Sequence, residues 1–173
     1  MLLLGNLVSM AGCILMVAIG FVWKKERVIT LQCFQFGLLG ISNLLLGATS
    51  GFVSGLVSVG RNLIFPRVKG GLWLKLLFIN LQVILTLLTG VEEPVSLLPL
   101  FAGVLFTWFI DVPGDMQLKL VVIAAQALWA IHDLSYRNYV AFTFDLLTIG
   151  TNAMGIFLLA RADGGLFRQK AAA

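Results

Sequence analysis

Asp145 stands in the middle of an apolar run, "AFTFDLLTIGTNAMG" at residues 141–155. A carboxyl group at membrane depth is costly and needs a cavity or a partner, so Asp145 is expected either to bind a proton or cation or to pair with His132, Arg61 or an amide. Thr148 and Asn152 follow it at spacings of three and seven, which puts all three on one helix face. Ser58 and Asn62 make the same kind of stripe with Gly55 in an earlier run. An amide both donates and accepts hydrogen bonds. Two such stripes facing each other would suit a neutral polar solute such as a sugar or nucleoside. They would equally suit hydrogen bonds that only hold helices together.

His132 and Asp133 close another run, "LWAIHDLS". With Asp145 they form a candidate proton relay, because imidazole titrates near physiological pH. The alternative is an interfacial histidine and a helix-end carboxylate. Arg61, beside Asn62, is expected to snorkel to lipid headgroups from the end of its span, or to act as a gating or anion-binding residue. A lone histidine without clustered acidic or thiolate ligands gives no metal site, and Cys13 and Cys33 read as small packing residues. No phosphate-binding glycine loop, zinc-protease helix or serine elbow is present. Neither catalysis nor a cofactor is expected.

The elements that carry these residues must be membrane helices. The 173 residues are 60% hydrophobic and only 12% charged, with a mean hydropathy of +1.00, too little polar surface for a water-soluble domain of this size. Apolar runs near 2–23, 28–46, 50–65, 72–91, 95–110, 117–132 and 139–160 predict seven spans, the second and third separated by a turn at "GATSG", residues 47–51. With the N-terminus outside, Lys24, Lys25, Arg27, Arg67, Lys69, Lys75, Lys119, Arg161, Arg168 and Lys170 collect on the inner side and only Arg137 outside. The chain is thus expected to run N-out and C-in. The first run lacks a basic leader and a cleavage motif and reads as a retained span. The net charge of +4 has no accompanying aromatic stripe or recognition helix, so no nucleic-acid partner is expected.

A shift of 90 residues aligns 38–62 with 128–152 without a gap and pairs Phe52 with Phe142, Gly60 with Gly150 and Asn62 with Asn152. The predicted architecture is therefore all-α, a 3+1+3 arrangement of parallel repeats: a three-helix bundle at 1–66, a linker span at 72–91, a second bundle at 95–160 and a short cytoplasmic tail at 161–173. Gly55 and Gly60 are expected to let the third span approach a neighbour closely.

Such parallel three-helix repeats joined by one inversion helix resemble the SWEET sugar transporters and the PQ-loop proteins. "LQ" at 31–32, "RN" at 61–62 and "WAIHD" at 129–133 more closely resemble the YgjV-like family of bacterial inner-membrane proteins, with Asp133 where that family's pattern has asparagine. The resemblance implies a multi-pass protein of the bacterial inner membrane. The expected function is passage of a small polar solute between the two halves, with Asn62, Asn152, Ser58, Thr148 and Asp145 as binding residues. The lipid bilayer and the solute are then the partners, and a homo-oligomer is compatible. The alternative is a non-transporting membrane receptor or interaction protein of the same fold, with a membrane enzyme third.

Overall fold

The computed structural model describes residues 1–20, 25–65, 67–68, 71–90, 93–111 and 115–171, with side chains except at 20, 25–29, 115, 159 and 162–171. Lys24, Lys69 and Glu92, and the side chains of Lys25, Arg27, Arg168 and Lys170, lie outside what is described.

The described residues form seven α-helices: α1 Leu2–Gly20, α2 Lys25–Leu45, α3 Thr49–Ile64, α4 Gly71–Leu88, α5 Leu98–Trp108, α6 Asp115–Ser135 and α7 Tyr139–Ala171, with a 3-10 turn at Pro94–Leu97 ahead of α5. The helices α1, α4, α6 and α7 each contain a stretch long and apolar enough to cross a membrane; α5 with its turn is a shorter apolar helix. α3, at 16 residues, is shorter than such a stretch. α7 continues as a helix past residue 160 to Ala171.

Neighbouring helices pack in the order α1, α2, α3, α5, α6, α7 and back to α1, while α4 lies outside this ring against α3 and α5. Val53 and Val57 of α3 meet Leu74 and Phe78 of α4 in an apolar cluster, with the Phe65 ring 5.8 Å from that of Phe78. Elsewhere the usual distribution is inverted. Leu56, Leu88, Phe101, Leu147 and Phe157 are exposed, whereas Ser9, Ser42, Ser54, Ser58 and Gln82 are buried. Apolar outside and small polar inside suits helices solvated by lipid tails, which associate through small residues and interhelical hydrogen bonds.

The two helix hairpins α2–α3 and α6–α7 turn alike. In the first, Leu46 N–H donates to Ser42 O (3.0 Å) and Ala48 N–H to Asn43 O (2.8 Å); in the second, Tyr136 N–H donates to His132 O (3.1 Å) and Asn138 N–H to Asp133 O (2.8 Å). Both pass through a left-handed residue, Gly47 at φ 84° and Arg137 at φ 58°. Glycine is the ordinary occupant of this helix-ending position, and an arginine there is strained. Each residue of the first turn corresponds to one 90 positions later (132 − 42).

Close approach of α2 and α3 rests on Gly55, where a Cβ would come within 2.9 Å of Phe36 O and 3.2 Å of Gly40 Cα. Gly60 does not share that role: a Cβ there meets only the Phe78 ring edge at 3.7 Å, an ordinary contact. The expectation of tight packing thus holds for Gly55 and is corrected for Gly60.

Candidate functional site

The hairpin turns bring Asn43 of α2 and His132 of α6 to the N-terminal half of α3. Gly51 makes room for both: a Cβ there would lie 2.6 Å from Asn43 Nδ2 and 2.9 Å from His132 Cε1. Ser50 precedes it. Asn43 Oδ1, Ser50 Oγ and His132 Nε2 are buried and have no hydrogen-bond partner. Buried polar atoms are rarely left in this state, and a group of them marks a place for water or a ligand.

The histidine is held from several sides. Its residue is 0% exposed; Nδ1 lies 3.0 Å from Asp133 Oδ1, the Trp129 ring meets it edge-on at 5.4 Å, and the Tyr136 ring lies 4.8 Å away. Tyr136 is tied in turn to Ser96 by a hydroxyl contact of 2.9 Å. With Nδ1–H donating to the carboxylate, Nε2 is left as a buried acceptor without a partner.

Asp133 and Asp145 are both buried, on the packed helices α6 and α7. Gln126 Nε2 donates to Asp145 Oδ1, and Asp145 Oδ2 is buried without a hydrogen-bond partner. Ser9 and Cys13 of α1, 3.9 Å apart through Oγ and Sγ, form a second buried polar contact on the neighbouring helix. Of the three residues expected to form a relay, His132 and Asp133 are joined directly, while Asp145 lies buried on the packed helix α7 and is bonded to Gln126 of α6.

The paired stripes are not equivalent. Ser58 and Asn62 are buried, and Asn62 Nδ2 donates to Gln32 Oε1 of α2 at 3.2 Å. Thr148 and Asn152 are only half-buried, and Asn152 Nδ2 donates to Thr148 O within its own helix at 2.8 Å. The physical reason lies in their neighbours. α3 packs against α2, α4 and α5, while α7 packs on α6 and α1.

Arg61 departs from the expectation that it reaches headgroups. It is 2% exposed; Nε donates to Asn62 Oδ1 at 3.2 Å, Nη1 to Thr107 Oγ1 of α5 at 3.0 Å, and the guanidinium lies 4.7 Å from the Phe106 ring centroid. Consecutive helical residues leave the axis about 100° apart, but an arginine side chain is long enough to fold back over its neighbour. Above it, Ser54 Oγ donates to Pro99 O (2.9 Å) and receives Gln82 Nε2 (3.0 Å), joining α3, α4 and α5.

Asn43, Ser50, Gly51, Ser54 and Thr107 were not singled out by the sequence. Asn43 lies opposite Asp133 in the same 90-residue register, a polar-for-polar match that counting identities passes over. Among the described residues no three His, Cys, Asp or Glu side chains are placed to hold a metal ion.

In comparison with known proteins, the family model Imp-YgjV, described as a bacterial inner membrane protein, matches residues 3–163. No curated protein and no solved structure matches the chain.

Proposed function

Because the chain belongs to the Imp-YgjV family of bacterial inner membrane proteins, we propose that it passes a small polar solute across that membrane between two three-helix units, α1–α3 and α5–α7, linked by α4. The observation that carries this reading is the group of unpartnered buried atoms, Asn43 Oδ1, Ser50 Oγ and His132 Nε2, where α2 and α3 of one unit meet α6 of the other. Sites between repeated units are the usual transporter arrangement. The matching turns at Gly47 and Arg137 support treating the units as parallel repeats, and the crowding of Lys and Arg at one set of helix ends supports N-out and C-in. Ser58, Asn62 and Asp145 line the buried faces leading to this point; Thr148 and Asn152 take the periphery. His132, Asp133 and Asp145 offer a route for a proton accompanying the solute. Catalysis has no part in this reading.

Uptake into proteoliposomes, screened over labelled sugars, nucleosides, amino acids and carboxylic acids, tests it. Flux of one class is expected, reduced at least tenfold by Asn43→Ala or His132→Gln and unchanged by Thr151→Ala, a substitution at an exposed position. Folded protein that carries none of these classes overturns transport, and binding without flux selects the receptor reading.

A further inference from the structure

Arg61 heads the fully buried side chains by size, and it is a cation. Its partners Asn62 and Thr107 are neutral, as is the face of Phe106. Among the described residues no carboxylate lies within ion-pair distance of it; the ion pairs found are Lys75–Asp111 and His132–Asp133. A guanidinium keeps its charge, and an interior charge without a counter-ion is costly. The two hydrogen bonds engage Nε and one N–H of Nη1, fewer than half of the five donors an arginine carries. They hold the guanidinium plane between α3 and α5 in a fixed orientation. Position 151, which corresponds to Arg61 in the second unit (61 + 90), is an exposed threonine bonded to its own helix, so the charge belongs to one unit only.

We propose that Arg61 is the binding site for the carboxylate of a monoanionic solute, received two-point by the N–H groups outside those bonds. This rests on the solute-passage reading for its purpose and narrows the solute from polar to singly negative. One fixed positive charge balances one negative charge. A phosphate dianion would need a second cation, and the nearby ones are engaged: Lys75 Nζ donates to Asp111 and to Trp108 O, and Arg67 is exposed and bonded to Leu63 O. The burial of the guanidinium opposes a lipid headgroup as occupant. Asn62 and Thr107 act here as positioning residues.

The test reads binding, not flux, so its failure is distinguishable from a failure of transport. The thermal unfolding midpoint of the full chain in detergent is measured with sodium acetate, sodium benzoate, sodium phosphate or glucose at constant ionic strength. Acetate or benzoate is expected to raise the midpoint of the wild type, increasingly with concentration. The shift is lost in Arg61→Gln and partly restored in Arg61→Lys, while phosphate and glucose give none. Should Arg61→Gln not fold, Thr107→Val retains the charge but frees the guanidinium, and a carboxylate shift several-fold smaller is expected. The proposal is overturned by the absence of a carboxylate shift in the wild type, by an undiminished shift in Arg61→Gln or, where that does not fold, in Thr107→Val, or by a response to phosphate or added phosphatidylglycerol alone. It is also overturned if Glu26→Gln or Asp115→Asn creates a carboxylate shift that the wild type lacks, since that would identify an internal counter-ion.

Discussion

Gly40 and Gly55 face each other across the α2–α3 interface, the position of a Gly55 Cβ lying 3.2 Å from Gly40 Cα. Helices in lipid gain no hydrophobic drive from contact with one another, so such backbone approach is a principal source of cohesion. Gly55→Leu is expected to destabilise by about 1–3 kcal/mol or more through overpacking, with a loss of monodisperse protein on size exclusion. Gly60→Leu, where a Cβ meets only the edge of the Phe78 ring at ordinary contact distance, should be markedly milder; equal losses for both would refute this assignment of the contact.

The hairpin turns make a prediction of opposite sign. Arg137 holds a left-handed backbone that Gly47 holds at the corresponding position. Arg137→Gly should relieve strain and stabilise by up to about 1 kcal/mol, and Gly47→Ala should cost a similar amount. Thermal unfolding of the two variants checks both; a destabilised Arg137→Gly would mean that the arginine side chain contributes more than its backbone costs.

Two buried carboxyl groups on packed helices, Asp133 and Asp145, are expected not to be charged together, which predicts an asymmetry between two replacements of Asp145. Asp145→Asn supplies an N–H where a proton was required and should fold with less than about 1 kcal/mol lost. Asp145→Leu takes the carboxylate acceptor from Gln126 Nε2 and should cost roughly 1–3 kcal/mol. In the infrared spectrum, the C=O stretch of a protonated carboxyl should be present in the wild type and absent from Asp145→Asn; its persistence there would assign the proton elsewhere.

Most of the helices were legible in the sequence because their signals are local. Apolar runs predicted a third span at 50–65 and the structure places α3 at Thr49–Ile64; the turn expected at 47–51 is made by Gly47. The identities of Asp145, His132 and Asp133 were legible for a related reason, as ionisable residues are rare at membrane depth and each demands an explanation. Partners were not legible, since they depend on helix rotation and on which neighbours cover a face. Asn62 and Asn152 carry the same residue in the same register, yet α3 has α4 beside it and α7 does not. Arg61 reads as a snorkelling residue because its position near a helix end is visible in sequence, while Thr107 and Phe106, which draw it inward, lie on α5, two helices further along the chain than α3.

The interhelical clamp around Ser54 gives a fourth expectation. Gln82→Leu removes its hydrogen bond to Ser54 without a change in helix length and should cost about 0.6–1.7 kcal/mol, the range found for hydrogen bonds within membrane bundles. Ser54→Ala should cost more, because it also releases Pro99 O. A double variant no worse than Ser54→Ala alone would confirm that the two act as one unit.

Topology gives the fifth. A reporter fused at the C-terminus should lie in the cytoplasm and one inserted between Glu93 and Pro94 should lie outside. A cytoplasmic signal at Pro94 would remove the seven-span arrangement.

The shortness of α3 and α5 reaches beyond the protein itself. α3 has 16 residues, about 24 Å of helix, and α5 has 11, about 16 Å, lengthened by one 3-10 turn. The two are neighbours, and α4, with 18 residues and about 27 Å of helix, packs against both. Leu56 and Phe101 stay exposed beside it, and there lipid meets helices shorter than a hydrocarbon layer of about 30 Å. Such mismatch costs fractions of a kcal/mol for each ångström, so α4 acts as a full-length fender that limits how much lipid has to adjust to the short pair.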